Sequence, residues 1–453
     1  MKTSTKTKSN RILLFEQTKD ELIDEILRLR EEVAKLKEDK KTVKDFIFSP
    51  KKGPKKRKQK PGRCSGHEGV TRKKPTDIDF EEHSQLDLCP DCGCSELREL
   101  GSAQKEHTQE DIIPAHVEVT KYIRHGYWCP KCKSKKTAPY SQEEIPYGYL
   151  GPNILMQTVL LKYHYGLPYS KMVGLFKSFC SLEVTASALA QSLQRVSKWL
   201  AVEEKVILEA VRNSKYLHMD ETGWKISGDN HWLWNFVNDK LAIYRIRKSR
   251  GRKVPLEVLT KDYGGIAISD FLSAYDKTGA KRQRCLVHLL RDMHKYKELD
   301  QSKESQGAYK KLNRIIHDAY RLDKNRNNVE PWVYCRRVNR LKGRLWDFAC
   351  TGFTNKNWAR ISKRLLKHDN EIFTFLDEVG IASDNNHAER MIRPNVIFRK
   401  ISFQNMSEKG AKAHEVLMSL LQTLRLQNQD PQEFFKKAYL KHRQGDMAPI
   451  LSV

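Results

Sequence analysis

The sequence predicts a multidomain α+β protein: an N-terminal coiled-coil helix, a cysteine-rich ribbon, a helical domain and an α/β core broken by a helical insertion. Three observations carry this. A heptad seam lies near the N-terminus, two Cys-x-x-Cys pairs follow, and the second half sets short apolar runs beside helical stretches. A chain of 453 residues has room for about three domains and for a sizeable core. The formal net charge is +27 and the isoelectric point about 9.6. Such an excess points to a polyanionic partner, most often nucleic acid. No apolar span is long enough for a membrane, and the charge is spread along the chain. The N-terminus has no apolar signal-peptide core, so a cytoplasmic location is expected. Ten cysteines, four of them in metal-like spacing, fit a reducing compartment better than a disulfide framework.

Leu22, Ile26, Leu29, Val33 and Leu36 are spaced 4, 3, 4, 3. That is an a/d seam, and it predicts a short dimerising coiled coil over 12–46. The competing reading is one amphipathic helix lying on its own domain. Over 49–78 the composition turns to Lys, Arg, Pro and Gly, with Lys51, Lys52, Lys55, Lys56, Arg57 and Lys58 in close succession. This reads as a basic arm that lies along phosphates with little regard to sequence.

Cys89-Pro90-Asp91-Cys92 and Cys129-Pro130-Lys131-Cys132 stand 36 residues apart. Four thiolates so paired can hold one tetrahedral Zn²⁺, which replaces a core that the ribbon over 84–142 cannot otherwise build. Val117, Val119 and Ile123 share one face of an expected strand. Cys94 is a near-duplicate ligand, and Cys64 with His67 is a weaker pair. Residues 150–213 read as helical. Tyr169–Phe179 and Ala186–Leu200 pair across a short turn, either as a helix-turn-helix with Thr185 or Ser187 near the second helix's start or as a plain packed pair.

In the core, Tyr216-Leu217-His218-Met219-Asp220 reads as a buried strand ending in a carboxylate, with Gly223 allowing a turn. Strands follow at His231–Val237 and Leu241–Ile246, then a short helix holding Pro255 and Leu259. Ile266-Ala267-Ile268-Ser269-Asp270 repeats the design of an apolar run ending in Asp. Glu389 lies in Asp384-Asn385-Asn386-His387-Ala388-Glu389, which opens a helix with Asn or Asp as N-cap. Strand, strand, strand, helix, strand and a late helix is the order of a ribonuclease-H-like domain, here spanning 214–405. Asp220, Asp270 and Glu389 are the acids that two-metal phosphoryl transfer needs, holding Mg²⁺ or Mn²⁺. Glu221 competes with Asp220, although strand neighbours face opposite ways. The bland account of Glu389 is an ion pair with Arg393.

The stretch between Asp270 and Glu389 is too long for one connection. It reads as a basic helical insertion over about 290–380, with Trp332, Trp346 and Trp358 spaced along it. Cys285-x-x-His288 is better explained by a buried Cys ending a strand and a His starting a helix than by a metal pair. A helical tail covers 406–445.

The chain resembles the transposases of the insertion sequence 66 family. The resemblance rests on Pro61-Gly62 with Gly66-His67-Glu68-Gly69, the double Cys-x-x-Cys, His218-Met219-Asp220-Glu221-Thr222-Gly223-Trp224, and Ser269-Asp270 with Ala274-Tyr275. It continues in Cys285-Leu286-Val287-His288, in Asp384 to Pro394 with Arg399-Lys400, and in Ser419 to Leu424 with Asp430-Pro431. It implies that Asp220, Asp270 and Glu389 are catalytic and that Cys89, Cys92, Cys129 and Cys132 bind zinc. It further implies hydrolysis and transesterification of double-stranded DNA at element ends and target. The coiled coil would bring two or more copies together, with accessory proteins an open matter. Arg390, Arg393, Arg399 and Lys400 would steady phosphates. The chain departs from the family pattern at Arg63-Cys64-Ser65 and at Phe271-Leu272-Ser273, neither of which touches a carboxylate. Other classes remain: a zinc-bearing DNA-binding regulator without catalysis, or a nuclease that cuts without joining.

Overall fold

The computed structural model describes residues 116–451 except 142–143, 146–147, 277, 444–445 and 447. It also describes 28–29, 31–32, 77–79, 81, 87 and 90–96. The chain divides into two compact units, Met1–Asp111 and Ile112–Val453. In the first, residues 28–29 and 31–32 are helical. The rest of the expected coiled coil, the six lysine and arginine positions of the basic arm, and Cys89 lie outside the described residues.

The described part of the second unit begins with residues 116–125 in no regular structure, so the strand expected around Val119 and Ile123 does not form; both side chains are exposed. An antiparallel hairpin follows, β1 (Gly126–Cys129) and β2 (Ser134–Thr137). Helices α1 (Pro152–Val159), α2 (Tyr169–Cys180), α3 (Ala186–Trp199) and α4 (Ala201–Arg212) come next, with one π turn at Leu160–His164. Thr185 caps α3, its hydroxyl accepting from the Ala188 N–H at 3.2 Å. Leu189, Leu193 and Val196 bury one face of α3, which packs on α1 and α2.

The sheet has five strands in the order β5-β4-β3-β6-β7. β3 (Tyr216–Ile226), β4 (Asp229–Val237) and β5 (Ala242–Arg247) form an antiparallel meander. Helix α5 (Lys253–Leu259) leads to β6 (Ile266–Ser269), which runs parallel to β3, and β7 (Lys281–Arg284) runs parallel to β6. Strand β3 does not end at Asp220, and Gly223 makes no turn: Gly223 pairs with Trp232 inside the ladder. The reversal comes at Ser227-Gly228, both at positive φ (48° and 89°). That is the backbone a two-residue hairpin of native twist requires.

Strand alternation divides the core. Leu217, Met219 and Ala267 join a cluster with α3, α4 and later helices, while Ile266 and Ile268 join the insertion. The insertion comprises α6 (Leu286–Leu299), α7 (Lys303–Lys324), α8 (Pro331–Ala349), α9 (Lys356–Lys367) and two short turns, Asp369–Ile372 and Thr374–Asp377. Trp358 is fully buried there, whereas Trp332 and Trp346 are exposed. The chain then returns through α10 (Asn386–Ser402), α11 (Glu408–Leu426) and α12 (Pro431–Arg443).

Helix α11 is no loose tail. It lies on the outer edge of β5 and completes its hydrogen bonding. Glu415 Oε1 accepts from the Ile246 N–H at 2.8 Å, Ser419 Oγ from Tyr244 at 2.9 Å and Thr423 Oγ1 from Ala242 at 3.1 Å. The fit is geometric. Four helix residues advance about 6 Å and two strand residues about 6.7 Å, so every fourth side chain meets every second N–H. An edge that would otherwise offer its donors to another chain is thereby closed. Ser419→Ala leaves the Tyr244 N–H buried without an acceptor. It is expected to lower unfolding free energy by about 1–3 kcal/mol, read from urea denaturation; an unchanged midpoint would count against the edge closure.

Candidate active site

The sheet register sets the first two acids. β3 and β6 pair at Tyr216↔Ile266, Leu217↔Ala267 and His218↔Ile268. Carried on by two residues, that register brings Asp220 and Asp270 level on adjacent strands, whose axes in a sheet lie about 4.8 Å apart. β6 stops at Ser269, so Asp270 sits just past its end. There its carboxylate accepts the Leu272 N–H at 2.8 Å, and its carbonyl accepts from the fully buried Arg284 at 2.8 Å. Arg284 is neutralised by Asp276 at 2.5 Å and Glu371 at 2.6 Å.

The third acid is placed by two asparagines. Asn385 was expected as an N-cap, but its side chain bonds no helix N–H. It donates to the Met219 carbonyl at 2.7 Å and pairs with His218 Nδ1 at 3.2 Å, while Asp384 accepts the Asn386 N–H. Asn235, opposite Asp220 in the ladder, accepts the Asp220 N–H at 2.9 Å and donates to the Ala388 carbonyl at 3.0 Å. The first turn of α10 is thus laced to β3 and β4, with Glu389 immediately after Ala388. The Glu389 carboxylate does not pair with Arg393. Its partners come from α6: Arg291 at 3.2 Å and His288 at 3.7 Å. Cys285 ends β7's run and accepts the Asn385 N–H at 3.2 Å. Its buried thiol, with its pKa raised by that burial, serves packing.

Electrostatics bind the acids into one system. Burial, then the neighbouring Glu221 charge, push Asp220 up to about 7; Asp270 and Glu389 add to the rise. Glu221 does not point away harmlessly. Its N–H donates to Asp220 Oδ1 at 2.9 Å, and its carboxylate takes the Tyr275 hydroxyl at 2.5 Å and Arg250 at 2.8 Å. Burial raises its pKa, and the Asp270 charge adds to this. Among the described residues, no three His, Cys, Asp or Glu groups close on a point as a metal cage would. The donor set still fits a hard divalent cation. It offers carboxylate oxygens, and the burial and neighbouring negative charge that hold a proton on Asp220 are what a cation offsets. Arg291 pairs with Glu389 at the edge of this set.

Arg390, Arg393 and Lys400 are exposed on α10, as phosphate contacts require. Arg399 is not free for that task, because its guanidinium donates to the Gly223 carbonyl. In the β1–β2 hairpin the Cys132 N–H donates to Cys129 Sγ at 3.4 Å, and this bond holds the Cys129 thiol below its usual pKa. A knuckle that favours the thiolate is prepared for a metal. Cys92 and Cys94 are exposed in the first unit.

Residues 147–413 match the family model described as the Transposase IS66 family. The chain belongs to the IS66 transposase family. The model described as the zinc-finger binding domain of transposase IS66 matches residues 87–133. Three proteins of Sinorhizobium fredii (strain NBRC 101917 / NGR234) are similar. They are the uncharacterized proteins y4hP (23% identical over 421 residues, 82% of this chain and 74% of that one), y4jD (23% over 391 residues, 78% and 74%) and y4qI (24% over 405 residues, 81% and 73%). The IS66 match runs from the end of the loop before α1 to the first turns of α11 and takes in all three acids.

Asp220 makes one contribution to the pH response of this IS66 chain, opposed by the buried His218 and His414, whose pKa values burial lowers to about 4 and about 3. Folded, its carboxyl keeps its proton up to about pH 7; unfolded, it releases it near pH 4. Between those values this group binds more protons in the folded state, so its contribution to stability falls as pH rises. From pH 5 to pH 8 without divalent ions, Asp220→Asn should gain melting temperature relative to wild type in calorimetry, and parallel curves would remove Asp220 as a contributor.

Proposed function

We propose that the chain is the DNA transposase of an insertion sequence, acting through Asp220, Asp270 and Glu389 on a ribonuclease-H-like core. What supports this is the β3–β6 register, which carried on by two residues sets Asp220 level with Asp270 just past the end of β6, together with the Glu389 charge that adds to the raised Asp220 pKa. The strand order β5-β4-β3-β6-β7, with only β4 antiparallel to its central neighbour, supports the core's assignment. The proposed parts are the basic arm, the zinc ribbon over 84–142, the helical domain over 150–213, and the core over 214–405 with its insertion.

Asp220, Asp270 and Glu389 would hold Mg²⁺ or Mn²⁺, which when bound stabilises the charge that builds on phosphate oxygens during displacement. The chain's own groups do the rest. Arg390 and Arg393, one and four residues beyond Glu389, hold phosphates beside the acids. Asn235 and Asn385 fix the separation of helix and strand. Tyr275 and Arg250 hold Glu221 in place. Water attacks a phosphodiester at the element's end, breaking its P–O3′ bond and freeing a 3′-hydroxyl, which then attacks a target phosphodiester and displaces that strand's 3′-oxygen. Cys89, Cys92, Cys129 and Cys132 hold a structural Zn²⁺, and the N-terminal helix pairs two chains, one for each end.

Strand cleavage and strand transfer by the full chain with Mg²⁺ test the chemistry. Asp270→Asn and Glu389→Gln should each cut both activities by roughly a hundred-fold or more while DNA binding persists. Wild-type binding with no cleavage would leave a regulator, and cleavage without joined product a nuclease. Metal analysis of the purified chain should find zinc, lost in Cys129→Ser; a zinc content unchanged by that substitution would discard the four-cysteine site.

A further inference from the structure

The end of α10 holds a side chain where stability alone would not put it. Phe403 has φ 63° and ψ −52°, and the Gln404 N–H reaches the Ser402 carbonyl at 2.8 Å. This is the strained form of the three-residue γ-turn, in a backbone region that a bulky residue rarely enters. The strain is not repaid by burial, since Phe403 is 74% exposed, as is Met406. The turn is nevertheless held firmly on both sides. The Asn405 N–H donates to the Lys225 carbonyl at 3.1 Å, its carbonyl accepts from Ser227 at 2.9 Å, and its side chain accepts from Trp224 Nε1 at 2.7 Å. Behind the turn, Lys162 donates to Ser402 Oγ at 3.1 Å.

The ridge leads straight from the acids. Glu389, Arg393, Ile397, Lys400 and Ile401 recur at helical spacing on one face of α10. Ile397 and Ile401 are exposed apolar groups, with exposed cations at Arg393 before them and Lys400 between them. Cations interleaved with apolar side chains suit a nucleic-acid strand, whose phosphates meet the charges while its bases meet the apolar surface. From Glu389 to Phe403 is 14 residues, or about 21 Å of helix. That is the length of about six stacked nucleotides.

We infer that α10 is a track for one DNA strand leaving the acids, and that Phe403, with Met406, is a platform on which an unpaired base stacks. This rests on the transposase reading and extends it to a strand path and a preference for frayed or single-stranded ends.

The test uses the full chain and a mixed-sequence duplex, either blunt or with a ten-nucleotide single-stranded tail of the kind suited to about six stacked positions. Wild type should prefer the tailed duplex. Phe403→Ala should weaken tailed binding about ten-fold or more, leave blunt binding unchanged, and melt no lower than wild type; Phe403→Trp should restore the preference. Phe403→Gly relieves the turn and should raise the melting temperature while losing the tail preference. Equal affinity of wild type and Phe403→Ala for the tailed duplex overturns the inference. So does a loss shared by blunt and tailed duplexes, or a change in self-association by sedimentation with DNA binding intact, which would make the ridge a contact between copies. A wild-type chain that cleaves nothing yet loses tail preference on Phe403→Ala refutes the catalytic reading and keeps this one.

Discussion

The site depends on a pair of amide side chains that tie a helix start to a sheet. Asn235 and Asn385 together satisfy the Asp220 N–H, the Met219 carbonyl and the Ala388 carbonyl. Each of these groups is buried or nearly so, and a buried backbone polar group left unpaired is costly. The two amides therefore make the alignment of α10 against β3 part of the fold's own stability. Glu389 inherits its position from that alignment. The rigid partners are the strand and helix, and the carboxylate they carry pairs with Arg291.

Charge is managed in the same spirit elsewhere. Where β7 meets the insertion, Arg282 and Arg284 of the strand and Lys367 of the insertion share Asp276 and Glu371. These pairs are partly buried, so each half is needed by the other. By contrast, Arg390, Arg393 and Lys400 stand exposed on α10, the helix that carries Glu389. The difference separates cations that build the molecule from cations available to a ligand.

Much of this was legible in the residues. The aromatic run His231–Val237, the apolar run before Asp270 and the short helix around Pro255 each carry a local signal, and each element formed where that signal lay. Asp220 was located, but its strand was cut short, because Gly223 reads as a turn until the ladder with Trp232 is known. Its lack of a side chain instead lets Arg399 approach the strand. Asn235 gave no signal at all, being one polar residue among aromatics whose partners lie 15 and 153 residues away. Arg291 was missed likewise, since helical spacing around Glu389 offers only Arg393. The role of α11 was hidden because a helix buried on nearly every side shows little amphipathic contrast.

The closure of β5 by Glu415, Ser419 and Thr423 has a consequence for how such a gene decays. The three contacts lie past residue 413, where the family match ends. A frameshift just beyond that point would spare every acid yet strip the sheet of its border. The shortened product would then present a bare, apolar ribbon to its neighbours. Copies damaged in this way would vanish into precipitate rather than persist as folded, inactive chains.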